Sequence, residues 1–87
     1  MIVSDPDIRD GRPCIDGTGL RVIDLVMAHL FRSRTPSELA SDYGIALAEV
    51  HAALAYYYGH KSELDEDIRA QLLKAQNYRE QRAGTGQ

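Results

Sequence analysis

Between Thr35 and His60 the chain has neither lysine nor arginine; its only charges there are Glu38, Asp42 and Glu49. A stretch of that kind does not draw in phosphate by charge. Tryptophan is absent altogether, and Cys14 stands alone, which excludes an internal disulfide and a thiolate metal cluster. No charged leader followed by an apolar run opens the sequence, and no run reaches the roughly 18 apolar residues of a membrane helix. A soluble, cytoplasmic protein without membrane association is therefore expected. Also missing are a glycine-rich phosphate loop, a nucleophile elbow and a zinc pattern. His29, His51 and His60 share no short ligand spacing. Asp5, Asp7, Asp10 and Asp16 each lie close to Pro or Gly, where Asp forms turns. An enzyme, a metal and a cofactor are not expected.

What is present is one small domain of 87 residues, 44% of them apolar. A core of this size is marginal alone, so a second copy or a partner chain is an expected source of further burial. The net charge of −3 is unevenly spread. Residues 1–34 balance five Asp against five Arg, residues 35–60 carry −3, and residues 61–87 balance five acids against five bases.

Ile2-Val3-Ser4 and Arg12-Pro13-Cys14-Ile15 read as short extended pieces separated by turns, and Leu20-Arg21-Val22 as a third. Ile23, Val26, Met27 and Leu30 recur at helical spacing and predict an amphipathic helix over about 22–31. Thr35-Pro36-Ser37-Glu38 is a helix start with a capping residue, Pro at the first position and a returning Glu. That helix predicts Leu39 and Ala40 inside and stops at Tyr43-Gly44, where Gly supplies a left-handed corner. Ile45 plugs the corner, and Leu47, Val50 and Leu54 follow on a second helix over about 46–58. This is helix-turn-helix spacing. Ser62-Glu63-Leu64-Asp65 opens a last helix with the stripe Leu64, Ile68, Leu72, Ala75 and Tyr78 to about 82, followed by a frayed end over 83–87.

The order Asp5-Pro6, Gly11-Arg12-Pro13-Cys14-Ile15, Gly17-Thr18, Pro36 to Tyr43, then Val50-His51-Ala52-Ala53-Leu54-Ala55-Tyr56 closely resembles the DUF433 family over roughly residues 2–60. The resemblance implies a homeodomain-like three-helix (helix-turn-helix) bundle behind a short N-terminal β segment; with the last helix, which lies outside the resemblance and is read from its own stripe, the expectation is a mainly α protein with an extra C-terminal helix. The expected division is a DUF433-like domain at 1–61 (β segment 1–22, three-helix unit 22–58) and a C-terminal helix and tail at 62–87. The resemblance implies more. It also implies the antitoxin half of a type II toxin–antitoxin pair, set against a PIN-like ribonuclease toxin. Gly19 and Arg21 stand where that family usually shows Arg and Pro, and Phe31-Arg32-Ser33-Arg34-Thr35 stands where its interhelical link usually carries a Gly.

Two kinds of surface follow. A helix-turn-helix reader touches base edges with exposed early residues of its second helix, here Ala46, Ala48, Glu49, His51 and Ala52. None can make the bidentate Arg–guanine or Asn–adenine contact. The bland alternative is a compact fold that no longer reads bases; if DNA is bound, the contacts are expected from Ala48 and His51 at the bases and mainly from Arg9, Arg12, Arg21, Arg32 and Arg34 at phosphates, with a steep salt dependence. The second surface binds protein. Consecutive Tyr56, Tyr57 and Tyr58 point in different directions on a helix, so one or two leave the core, and tyrosine suits interfaces. Tyr57, Tyr58, Ile68, Leu72, Tyr78, Arg79 and Arg82 are the expected partner contacts. An inserted Arg79 or Arg82 would neutralise the carboxylates around a nuclease metal through paired hydrogen bonds. The leading expectation is an antitoxin, dimeric through its β segment or tyrosine-rich helix, that occupies a toxin's cleft and represses its own operon. A stand-alone DNA-binding regulator and a protein-interaction module that has lost DNA binding are the alternatives.

Overall fold

The computed structural model describes the backbone of residues 1–85 and the side chains of residues 1–81. Strands β1 (Ile2–Val3) and β2 (Cys14–Ile15) pair antiparallel, with Ile2 opposite Ile15 and Val3 opposite Cys14. A single 3-10 turn at Arg9–Gly11 lies between them. Four helices follow: α1 (Val22–Phe31), α2 (Pro36–Tyr43), α3 (Leu47–Gly59) and α4 (Lys61–Thr85). None of these helices is long and apolar enough to cross a membrane. The third extended piece is reduced to one bridge between Cys14 and Arg21, because Val22 already begins α1.

Local chemistry sets the boundaries of α2. The Thr35 side chain accepts from the Glu38 N–H at 3.2 Å, and the Glu38 carboxylate accepts from the Thr35 N–H at 2.9 Å. These two bonds satisfy donors that a helix start leaves open. At the other end Gly44 adopts φ 65°, ψ 37°, and the N–H groups of Gly44 and Ile45 both close on the Ala40 carbonyl. A Cβ at Gly44 would meet nothing within 4 Å, so the backbone angle, not space, calls for glycine. The link from α1 to α2 uses a left-handed residue as well. There Ser33 takes φ 57° without the freedom of glycine.

The core is one cluster. Val22, Ile23, Leu25, Val26 and Ala28 of α1 meet Leu39 of α2 and Val50, Ala53, Leu54 and Tyr57 of α3, with Ile15 closing from the sheet. Ile45 packs against this cluster at the α2–α3 corner. Two sequence expectations change here. The stripe Ile23, Val26, Met27, Leu30 predicted for α1 is displaced: Leu25 and Ala28 are buried, whereas Leu30 is 44% exposed. The cause is that α1 packs against α2, α3 and α4 and is covered around most of its girth. Leu47, predicted inside, is also 44% exposed, because it starts α3 at the edge of the bundle.

The larger correction concerns α4. It begins at Lys61, one residue after a sharp break at His60 (φ −130°, ψ 36°), and extends through Thr85. The expected frayed end at 83–85 is thus helical, and Gly86 and Gln87 lie outside the described residues. Leu64 and Ile68 are each 4% exposed within the same core cluster. A division at 61/62 therefore cuts through one packing unit. Beyond Leu72 the described residues of the helix are exposed. Its 25 residues span about 37 Å at 1.5 Å per residue, which accounts for a longest molecular dimension of 47 Å against 28 and 23 Å.

Candidate partner-binding surface

The arginines are mostly bound within the chain. Arg34 holds Asp42 through two hydrogen bonds of 2.9 and 2.8 Å and Glu38 through one of 3.1 Å. The Arg34 hydrogen bonds hold the Asp42 carboxyl below its ordinary range, while the Thr35 N–H does most of the same for Glu38. The Arg34 carbonyl in turn accepts from His29 Nδ1 at 2.8 Å. Arg21 grips Asp24 at 2.8 Å, and that carboxylate also accepts from the Arg21 N–H at the start of α1. Arg12 reaches across 55 residues to Asp67 of α4, with bonds of 2.8 and 3.3 Å. Hydrogen bonding from Arg12 holds the Asp67 carboxyl below the usual carboxylate range. Arg9 is exposed on the 3-10 turn, and Arg32 is exposed at the end of α1, its guanidinium 3.5 Å from the Tyr43 hydroxyl. Three of the five arginines carry carboxylates as nearest neighbours.

Ala46, Ala48 and His51 lie on the exposed side of α3, with Ala52 half-buried beside them. The three tyrosines separate as consecutive helical residues must. Tyr56 stacks on His60 with ring centroids 4.0 Å apart, Tyr57 is buried, and Tyr58 is exposed. The Tyr57 hydroxyl donates to Asp65 at 2.6 Å, and Lys61 donates to the other oxygen of that carboxylate at 2.6 Å. Burial foremost, then the bond to Asp65, pushes the Tyr57 phenol up. Tyr57 and Ile68, both expected at a partner surface, are thus core residues. One is fixed by its hydroxyl at the α3–α4 break, and the other lies on the first turns of α4. Burial also pushes the Cys14 thiol up, which suits an inert packing residue.

The remaining candidates lie together along α4. Leu72 is 46% exposed and Tyr78 60% exposed, on the prolongation of the face that buries Leu64 and Ile68. Gln71, Lys74, Ala75, Tyr78 and Arg79 line one shallow hollow there. The Arg82 side chain is outside the described residues. Next to Leu72 an open groove of about 520 Å³ runs between α1 and α4. Leu20, Met27, Phe31, Tyr43 and Leu72 supply its apolar walls, with Asp24 and Arg32 at its rim. Phe31 is 56% exposed. Clustered exposure of large apolar side chains marks binding surfaces, whereas single ones do not.

The sheet, the left-handed corner, the helices α1 and α2 and most of α3 fall within residues 2–57, which match the family described as a protein of unknown function (DUF433). The chain belongs to the DUF433 family. No curated protein and no solved structure matches it. The DUF433 match ends inside α3 at Tyr57, so the whole of α4, including the core residues Leu64 and Ile68, lies beyond it. Sequence reasoning places Leu72 and Tyr78 on one stripe, with Arg79 beside it, but misses the groove next to Leu72. Phe31 carries the signal for it. It stands four residues after Met27, on a side of α1 where an aromatic residue ends the helix without a buried counterpart.

Proposed function

We propose that this chain is a protein-binding module that acts as the antitoxin half of a toxin–antitoxin pair, inserting α4 into the cleft of a PIN-like ribonuclease. The observation that carries the reading is the prolongation of α4 beyond the core. Leu72, Ala75 and Tyr78 follow the buried Leu64 and Ile68 on one side of a rigid helix, with Lys74 and Arg79 beside them. A nuclease that works through metal ions gathers carboxylates, and a guanidinium binds a carboxylate through paired hydrogen bonds that a lysine cannot copy. Arg79 is the residue assigned that role, with Leu72 and Tyr78 anchoring the helix by apolar burial. Homeodomain-like architecture and the antitoxin role are what the DUF433 resemblance implies, and the α2–Gly44–α3 corner has the spacing of a helix-turn-helix.

The test is inhibition of a PIN-like ribonuclease encoded alongside this chain. The full chain should block RNA cleavage and copurify with the nuclease. A chain ending at Gln71 should do neither while keeping a cooperative unfolding transition. Equal inhibition by the shortened chain would remove α4 from the role.

A second reading, DNA binding, draws on the same α2–Gly44–α3 corner. Against it stand the cation-free surface of α3 and the carboxylates already held by Arg12, Arg21 and Arg34. Phosphate contact would then fall mainly to Arg9 and Arg32, and a dimer would double them. Binding to promoter DNA that weakens steeply with salt supports this reading; no shift at low salt ends it.

A further inference from the structure

We infer that the break at His60 is a hinge through which two copies of this chain exchange α4, each copy's α4 packing on the body of the other. The exchange needs no ribonuclease and stands whether or not that reading holds. A second copy is the occupant because its body repeats, residue for residue, the surface that α4 covers in this one.

The break is a single residue, and the bonds on either side of it already have helical spacing. The His60 N–H donates to the Tyr56 carbonyl at 3.0 Å, and the Leu64 N–H donates to the His60 carbonyl at 3.1 Å. Both reach four residues back, as in an unbroken helix. What the break withholds lies between them: the N–H groups of Lys61, Ser62 and Glu63 to the carbonyls of Tyr57, Tyr58 and Gly59. Turning His60 from φ −130°, ψ 36° to helical angles closes these bonds. The product is one helix over 47–85, about 58 Å long at 1.5 Å per residue. The residues permit such a rod. No proline follows Pro36. Gly59 has no atom within 4 Å of where a Cβ would stand, which leaves room for the second chain where two rods cross. The Lys61–Asp65 ion pair and the Tyr56–His60 stack join residues four apart, so straightening keeps both.

In a lone chain the rod is penalised. It lifts Leu64 and Ile68, each 4% exposed, out of the core, and it parts Asp65 from Tyr57 and Asp67 from Arg12. Each of these contacts joins α4 to the body. A second copy therefore restores all of them with the chains exchanged, and the bonds closed at the hinge come in addition. The two hinges lie side by side at the two-fold axis, and concentration decides between the bent monomer and the exchanged dimer.

Sedimentation velocity and cross-linking of the full chain, unfolded in urea and refolded at high concentration, test the exchange. The expected result is a dimer whose share rises with concentration. Arg12→Cys and Asp67→Cys chains, refolded together and treated with a short bismaleimide, should link to each other in the dimer fraction; Cys14 is buried and stays out of the reaction. Ser62→Pro falls in the first turn of α4, where proline is tolerated, but inside the rod, where it is not. It should weaken the dimer by more than about a hundredfold while the monomer keeps its cooperative unfolding transition. Gly59→Ala, a better helix former, should tighten the dimer by about fivefold. A chain that refolds as a monomer at every concentration overturns the proposal. So does a dimer that resists Ser62→Pro, or one in which Arg12→Cys and Asp67→Cys chains do not link, whether or not Ser62→Pro folds.

Discussion

A chain ending at Lys61 should fail to hold the fold that a chain ending at Gln71 keeps. The shorter chain contains the whole DUF433 match and all of α1, α2 and α3 but loses Leu64 and Ile68, each 4% exposed in the core. Burial of side chains of this size stabilises by about 1.5–3 kcal/mol each, so the pair accounts for about 3–6 kcal/mol. Loss of Asp65 also leaves the Tyr57 hydroxyl, at the edge of the core, without its acceptor, and loss of Asp67 removes the carboxylate that holds Arg12. Domains are stable by about 5–15 kcal/mol, small ones toward the lower end, so the deficit is comparable with the whole. Urea unfolding followed by far-ultraviolet circular dichroism measures it. The chain ending at Gln71 should show a cooperative transition near that of the full protein, and the chain ending at Lys61 a shallow or absent one. A cooperative transition at the full-length midpoint for the shorter chain would refute the assignment of α4 to the core.

Three further outcomes are expected. Ser33→Gly should stabilise by about 0.5–1 kcal/mol, because Ser33 sits at φ 57° where a side chain is strained; an unchanged or lower thermal midpoint would speak against strain at that link. Gly44→Ala should cost about 1–2 kcal/mol through backbone angle alone, since no atom lies within 4 Å of the added methyl, and chemical denaturation at pH 7 reads it. Arg12 holds the Asp67 carboxyl below its ordinary range, so their pairing stabilises fully above the unfolded carboxylate value of about 4 and is lost as pH falls through the lower folded value. The stability gap between the wild type and Arg12→Ala should therefore narrow on acidification below about pH 4, and a gap that stays constant down to pH 2 would remove the ion pair as its source.

Features fixed by neighbours along the chain were legible in the sequence. Thr35 and Glu38 need only each other to start α2, and Gly44 needs only its own backbone freedom to end it, so both were readable from residue type. The bounds of α1 followed from periodicity in the same way. Features fixed by distant neighbours were not legible. Leu30 and Leu25 are chemically alike, and only the arrangement of three other helices around α1 decides that Leu25 is inside. Tyr57 and Tyr58 differ by one helical step, and the position of Asp65 past the break at His60 selects the first for the core. The same holds for the surface. Leu72 and Tyr78 share a stripe that spacing reveals, but Leu20, Met27 and Phe31 come to Leu72 only once α1 and α4 have packed. The arginines show the converse: an inventory by charge counts five possible phosphate grips, and folding gives three of them carboxylate neighbours first.

The Arg12–Asp67 contact ties the loop before β2 to the second turn of α4 across 55 residues. These two regions acquire order jointly, so a force or ligand that tilts α4 is felt at the opposite end of the polypeptide. Amide hydrogen exchange at Cys14 and Ile15 should accordingly quicken when α4 is pulled from the bundle, which makes the short sheet a reporter for events on α4.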